Sequence, residues 1–118
     1  MKTIVRHFLC KEDEATLSTS KNMWMEDKEN HIYCSGYWKV TKNDADALIG
    51  GKIFFHRTKE DKSYFGGEIL SYSFKDDNPE NRIIFKFKAE VEARGRKWEG
   101  KTEPVSRRMD SGNVEVEL

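Results

Sequence analysis

Three consecutive side chains near the middle of the chain, His56, Arg57 and Thr58, carry groups that can bind or react with a ligand. An imidazole titrates near neutral pH, a guanidinium donates paired hydrogen bonds to a phosphate or a base edge, and a hydroxyl both donates and accepts. The three residues follow the apolar residues 53–55, so they stand at the end of a predicted strand. They either line a binding site or form a solvated strand end in which His56 is half buried.

Aromatic residues in two other places are candidate walls for a ligand. Tyr37 and Trp38 are adjacent, and a base that stacks on such a ring gains about 1–3 kcal/mol. Because neighbouring strand residues point to opposite faces, one of the two rings can pack in the core while the other lines a pocket. Trp24, which lies between two methionines, is either a third wall or a hydrophobic plug that anchors a long loop.

A local excess of positive charge lies between residues 94 and 108. This segment holds six basic side chains against two acidic ones, a local charge of +4, although the net charge of the whole chain is zero. The zero total weighs against strong non-specific binding to duplexes, whereas a local cluster can still follow a phosphate backbone. The alternative is a solvated hairpin and loop. The predicted backbone contacts are Arg94, Arg96, Lys97, Lys101, Arg107 and Arg108.

Catalytic and metal-binding motifs are missing from the sequence. It contains no GxSxG, HExxH or Walker-type run, the three histidines lack metal-ligand spacing, and the two cysteines form no CxxC. We therefore predict no metal and no cofactor, and a binding protein is favoured over an enzyme. Cys34 and His56 could pair as nucleophile and base, but only their residue types favour this.

Length and composition predict one small domain. A chain of 118 residues supports one modest core, which a 12% share of aromatic residues can fill with few side chains. The two cysteines are expected to be reduced thiols, although a single disulfide is an alternative. With no signal peptide and no long apolar run, the sequence predicts a cytoplasmic protein without a membrane partner. It does not indicate an oligomeric state.

Alternating apolar and polar residues predict a mainly β chain. The clearest strand covers residues 82–93, with Ile83, Phe85, Phe87, Ala89, Val91 and Ala93 on its inner face. Further strands are expected at residues 3–9, 31–34, 37–40, 51–58, 64–70 and 113–118, with a break at Ser35 and Gly36. Residues 11–30, 75–81 and 100–112 are expected to be loops.

One short helix and two pairs of glycines complete the predicted elements. The helix covers residues 44–49, is capped by Thr41 or Asn43, and ends at Gly50. The paired glycines at 50–51 and 66–67 mark places where the backbone bends or is closely approached. Six or seven strands in so short a chain predict a barrel or a sandwich.

Residues 48–58, with the sequence LIGGKIFFHRT, resemble a recurring element of PUA-like barrels, especially of the EVE type. In that element a short helix leads to a glycine turn and then to a strand that ends in an aromatic and polar cluster. Residues 65–70 look like its partner strand, and residues 35–38 take the place of the segment that walls the ligand pocket. The resemblance covers residues 35–70, with weaker agreement to residue 93.

The resemblance implies a mainly β, small and mostly antiparallel PUA-like β-barrel with one or two short helices, formed by residues 1–118. PUA-like domains bind RNA or DNA, often around one base, and the EVE and YTH types take a modified base into an aromatic pocket. We therefore expect a module that reads a base between Tyr37 or Trp38 and residues 56–58, with Trp24 as a further wall. The alternatives are an ASCH-like ribonuclease and a small interaction or inhibitor protein that uses acidic residues 12–14.

Overall fold

A computed structural model describes residues 2–10, 23–58, 60–74, 82–99 and 110–117, and at Tyr37 it describes the backbone alone. These residues form seven strands and one α-helix, so the prediction of a mainly β chain is confirmed. In chain order the elements are β1 Lys2–Leu9, β2 Met23–Asp27, β3 Ile32–Trp38, α1 Lys42–Leu48, β4 Lys52–His56, β5 Phe65–Phe74, β6 Ile83–Ala89, a 3₁₀ turn Val91–Ala93, and β7 Val114–Glu117.

The seven strands belong to one sheet in the order β2-β3-β6-β5-β4-β1-β7. Neighbouring strands run antiparallel everywhere except between β1 and β4, which are parallel with Leu9 opposite His56. The prediction of a mostly antiparallel sheet is therefore confirmed. Assignment to the PUA-like group stays a prediction.

The sheet curls around a single core. The ring of Phe8 in β1 lies 4.4 Å from the ring of Trp38 in β3 and 6.1 Å from that of Phe85 in β6, measured between centroids. Because β1 and β3 are separated by three other strands in the sheet order, these contacts require strong curvature. The concave face holds the main core, whose fully buried members include Phe8, Met23, Leu48, Ile53, Phe55, Ile69, Ile83, Phe85 and Phe87.

The convex face of β1 and β4 carries a second, smaller cluster. Since side chains alternate along a strand, Phe54 points away from the main core and packs with Val5 and Ala93. Residues 91–99, which we call the strap, run over this face. Ser63 fastens the strap, since its hydroxyl donates to Ala93 O at 2.5 Å and accepts from Arg96 N at 2.9 Å.

Helix α1 is capped by Thr41 and followed by Gly50 as predicted, but it covers Lys42–Leu48 instead of the predicted residues 44–49. The hydroxyl of Thr41 accepts a hydrogen bond from Asp44 N at 3.2 Å, and Gly50 follows the last turn with a φ of +83°. The helix buries Ala45 and Leu48 against the core. No helix in the described part of the chain is long and apolar enough to cross a membrane.

Two predictions about strands are wrong. Residues 23–27 were expected in a loop, but they form β2, because Met23 is fully buried in the core and the backbone pairs with β3. Ser35 and Gly36 were expected to interrupt a strand, but β3 continues through them with an irregularity between Ser35 and Trp38. A bulge of this kind accommodates a glycine without ending the strand.

The inner face predicted for residues 82–93 is correct only in its first part. Ile83, Phe85 and Phe87 are fully buried, but Val91 is 83% exposed because β6 ends at Ala89 and the 3₁₀ turn rotates the following side chains. The predicted loop at residues 75–81 lies outside the described residues, as do residues 11–22 and 100–109 of the other two predicted loops.

Gly51, Gly66 and Gly67 lie where the backbone of another segment approaches closely, which gives a test of the fold. A Cβ on Gly67 would lie 1.9 Å from Lys88 O, so we expect Gly67→Ala to destabilise the protein by about 3 kcal/mol or more, because β5 and β6 must separate. Gly95 has no atom within 4 Å of its Cβ position but has a φ of +82°, which asparagine tolerates. Gly95→Asn should therefore cost less than about 1 kcal/mol. Urea unfolding measures the free energy of unfolding of both variants. Equal values for the two variants would contradict the close approach of β5 and β6.

Candidate functional site

A pocket of about 350 Å³ lies where the concave core reaches the surface. Tyr33 and Phe65 form its aromatic wall, with ring centroids 4.9 Å apart in an edge-to-face arrangement. Phe65 belongs to the core and Tyr33 packs against it, so the wall is held rigidly. We call this the mouth pocket, and it is lined by His31, Tyr33, Phe65, Ala89, Glu90, Val91 and Arg94.

The rim of the mouth pocket is polar and exposed. The guanidinium carbon of Arg94 lies 5.8 Å from the centroid of the Phe65 ring, at cation–π distance. Glu90 is balanced by Lys52, whose Nζ lies 2.6 Å from its carboxylate. The Ala89 amide donates to the carbonyl of His31 at 2.9 Å, which ties β6 to the turn before β3. The pocket thus combines two aromatic rings, set nearly at a right angle to each other, with a cation at its edge.

A second feature, the histidine pair formed by His7 and His56, lies under the strap on the convex face. Both side chains are fully buried, and His7 Nδ1 lies 2.7 Å from His56 Nε2. His56 Nδ1 lies 2.9 Å from the carbonyl oxygen of Asp61. A carbonyl only accepts, so in neutral rings His56 carries its proton on Nδ1 and accepts at Nε2. His7 must then donate from Nδ1, which leaves a lone pair on its Nε2.

The surroundings of the histidine pair are aromatic on two sides. His7 stacks on Phe54 at 5.0 Å between centroids, and the ring of Trp98 lies 5.5 Å from His7 and 5.1 Å from His56. Glu99 Oε1 lies 3.4 Å from His7 Nε2. No described residue donates a hydrogen bond to this nitrogen.

The two histidines are neutral at pH 7. Burial lowers the pKa of His7 to about 3, and the neighbouring His56 and Arg96 contribute to the shift. Burial also lowers the pKa of His56, against a smaller opposing effect of Asp61. These directions agree with the tautomers that the hydrogen bonds require.

The structure places Trp38, one of the two predicted wall residues, on the opposite side of the sheet from His56. Trp38 packs on the concave side against Phe8, and its Nε1 donates to the Ser35 hydroxyl at 3.0 Å. His56 contacts His7, which points to the opposite face of β1 from Phe8. The side chain of Tyr37 lies outside the described residues.

Among the other predicted ligand-binding residues, Trp24 lies apart from Arg57 and Thr58. Arg57 is exposed, with its guanidinium carbon 4.4 Å from the Tyr64 ring centroid, and the Thr58 hydroxyl accepts from Asp61 N at 3.1 Å. Trp24 is half-buried and lines a separate cavity of about 410 Å³ together with Lys86. These three side chains therefore do not form one site.

The described basic residues follow the strap. Arg94 borders the mouth pocket, Arg96 lines an adjacent cavity of about 300 Å³, and Lys97 is exposed. Glu90 lines both cavities, so they are neighbours. The other three predicted backbone contacts, Lys101, Arg107 and Arg108, lie outside the described residues.

The suggested pairing of Cys34 with His56 is not present. The Cys34 thiol donates to Glu26 Oε2 at 2.9 Å, whereas His56 contacts His7 and Asp61. Burial and the Glu26 carboxylate raise the pKa of Cys34 to about 12, so the thiolate that a nucleophile needs is disfavoured. Neither Cys10 nor Cys34 is in a disulfide, and both are buried.

Sequence reasoning missed Tyr33, Phe65 and His7 as site residues. Tyr33 and Phe65 occupy inward positions of predicted strands, and alternation alone assigns such residues to the core. His7 contacts His56 only because β1 pairs with β4 in parallel. These strands are distant in sequence, so no local sequence pattern predicts their register. Comparison with protein-family models, with curated proteins and with solved structures gives no match to this chain.

Because the buried histidine pair is neutral, we predict that the folded state loses stability in acid. The folded pKa of His7 lies below the value of about 6.5 expected when unfolded, so the unfolded chain binds more protons between pH 6.5 and 3. Stability is therefore fully present above about pH 6.5 and falls as the pH drops, by about 2 kcal/mol between pH 7.5 and 5.

Urea unfolding across this pH range, with EDTA and a reducing agent, measures the effect. His7→Gln should flatten the pH dependence. His31→Asn is the control, because His31 is an exposed histidine with a φ of +57° that asparagine accepts, and this variant should keep the wild-type slope. A wild-type protein equally stable at pH 5 and pH 7.5 would contradict the neutral buried pair.

Proposed function

We propose that this protein is a nucleic-acid-binding module that takes one base into the mouth pocket. The observation that supports this most strongly is the rigid wall of Tyr33 and Phe65 with the Arg94 guanidinium at its edge. A base offers a flat π face to such a wall, and its attached phosphate offers a negative charge to the arginine.

The size and composition of the pocket suit a base. Its volume of about 350 Å³ is at the lower end of the range for small-molecule sites, which is roughly 300–1,000 Å³. Tyr33 is only partly buried, so part of its ring is accessible for stacking. Resemblance to the EVE and YTH types extends the proposal to modified bases, whose extra groups would contact the apolar Ala89 and Val91.

The backbone of the nucleic acid would pass along the strap. Arg94 and Lys97 are exposed there, and Arg96 lines the cavity next to the mouth pocket. Few phosphate contacts on a chain of zero net charge imply modest, salt-sensitive affinity. The base site proposed here differs from the predicted one, since Tyr33 takes the place given to Tyr37 or Trp38.

Binding is favoured over RNA cleavage by the position of His56. A general acid or base must come within hydrogen-bonding reach of its substrate, and His56 is fully buried. The ASCH-like ribonuclease therefore ranks second. The acidic residues 12–14 of the proposed interaction protein lie outside the described residues.

Fluorescence anisotropy with labelled single-stranded RNA and DNA, with and without modified bases, tests the proposal at 50 mM salt. Tyr33→Leu keeps an apolar side chain but removes the stacking face, so it should weaken binding by about 5-fold to 100-fold. Arg94→Gln should weaken binding to all sequences and lower the salt slope by about 1. Lys42→Gln, which removes a cation that is 71% exposed on α1, is the control and should bind like the wild type.

Absence of binding to every oligonucleotide at 50 mM salt would contradict the proposal, as would equal affinities of the Tyr33 and control variants. Electrophoresis of the same oligonucleotides after several hours separates binding from cleavage. Intact RNA would exclude the ribonuclease, and shortened RNA that persists with repurified protein would favour it.

A further inference from the structure

Of the described residues that line the mouth pocket, Glu90 alone is acidic. Its backbone is fixed beside the aromatic wall, because its amide donates to Gly66 O at 3.1 Å, directly after Phe65 in β5. Its side chain is 32% exposed, so the carboxylate is accessible to an occupant of the pocket. A nucleic acid is itself an anion, and a carboxylate at a base site therefore weakens binding unless it forms hydrogen bonds with the base.

The hydrogen-bonding edges of the four bases differ in how well they suit a carboxylate. A carboxylate only accepts hydrogen bonds, and its two oxygens lie side by side. Guanine carries two adjacent donors, N1–H and the N2 amino group, which can bind both oxygens at once. In adenine and cytosine the amino group lies next to a ring nitrogen with a lone pair, and in uracil the single N3–H lies between two carbonyl oxygens. Each of these three bases thus places an acceptor against a carboxylate oxygen.

Lys52 restrains the Glu90 carboxylate without using up its acceptor capacity. Lys52 Nζ lies 2.6 Å from Glu90 Oε1. An ionised carboxylate has about four lone-pair sites, so one lysine contact leaves both oxygens able to accept from a base. The lysine lines the cavity next to the mouth pocket, and it reduces the side-chain freedom that Glu90 would lose on binding.

The other polar side chains of the mouth pocket do not favour a different base. The His31 imidazole offers one donor and one acceptor, and every base has partners for both. The Arg94 guanidinium binds the phosphate in the proposed function, and phosphates are the same for all bases. If this guanidinium turned to the base instead, its paired donors would match O6 and N7 of guanine best.

We propose that Glu90 makes the mouth pocket selective for guanine, with its carboxylate accepting from N1–H and from the N2 amino group. This inference rests on the proposed base binding and adds the identity of the base. One good two-point contact between a side chain and a base discriminates against the wrong base by about 5-fold to 100-fold.

Fluorescence anisotropy at 50 mM salt tests the proposal with short labelled RNAs in which only the central nucleotide carries a base and all others are abasic. The phosphate contacts are then the same in every RNA. The guanine RNA should bind about 5-fold to 100-fold more tightly than the adenine, cytosine and uracil RNAs. The hypoxanthine RNA, which keeps N1–H but lacks the N2 amino group, should bind more weakly than the guanine RNA.

The ratio of the guanine and adenine affinities is the readout for the variants. Glu90→Gln replaces one acceptor by a donor, so it should abolish the preference for guanine. Glu92→Gln, which removes the same charge from an exposed residue of the strap, is the control and should keep the preference. A general gain in phosphate affinity would occur in both variants and would leave the ratio unchanged. Lys52→Gln should lower the ratio by a smaller factor, because the carboxylate remains but loses its restraint.

The outcomes separate guanine selectivity from base binding. If the four RNAs with a normal base bind equally and a fully abasic RNA binds more weakly, the base site stands and guanine selectivity is refuted. If the fully abasic RNA binds as tightly as the guanine RNA, the proposed base binding itself fails. A guanine preference that persists in the Glu90→Gln variant would overturn the role of Glu90.

Discussion

The buried guanidinium of Arg6 holds together three parts of the chain that are distant in sequence. Only 2% of this side chain is exposed, and it binds Asp44 of α1 at 3.4 Å, together with Asp110 at 2.9 Å and Asn113 at 3.0 Å in the segment before β7. A buried charge without its partners is costly, by about 3–5 kcal/mol. β1 can therefore occupy only the register that delivers Arg6 to these acceptors. That register places His7 next to His56, and it places Phe8 in the core. Three consecutive residues thus have three roles: Arg6 binds the ion cluster, His7 forms the polar pair, and Phe8 packs in the hydrophobic core.

The strap connects the mouth pocket physically with the histidine pair. Its first residues, Val91 and Arg94, border the mouth pocket, and its last residues, Trp98 and Glu99, cover the histidine pair. Ser63 holds the middle of the strap with hydrogen bonds to Ala93, Gly95 and Arg96. A movement that lifts one end of so short a segment therefore strains the other.

Local sequence patterns were sufficient to predict the elements that form through interactions between residues close in sequence. Thr41 caps α1 through its own hydroxyl, Gly50 follows the helix with a positive φ, and the alternation around Phe85 reports a face that is buried in fact. The strand at Met23 was missed because its polar flanks resemble a loop, and only burial of the methionine and pairing with β3 reveal it.

The candidate site could be predicted only in part. Arg94 was recognised from local charge and borders the mouth pocket. Tyr37 or Trp38 was expected to wall the base pocket, and the position of Trp38 after the irregularity in β3 turns its ring toward Phe8. A bulge reverses the facing of every later residue in a strand, and its position depends on tertiary packing rather than on composition.

The parallel pairing of β1 with β4 also has a consequence for the order of folding. β4, β5 and β6 follow one another in sequence and pair as neighbours, so they can associate after closing short loops. β1 must instead find β4 across the whole region that contains β2, β3 and α1, and it must find β7 across nearly the whole described chain. Such distant contacts form slowly because chain entropy is lost before contacts are gained. The β4–β6 meander is thus the natural nucleus, and β1 docks late, together with β7, which pairs with β1 at the edge of the sheet.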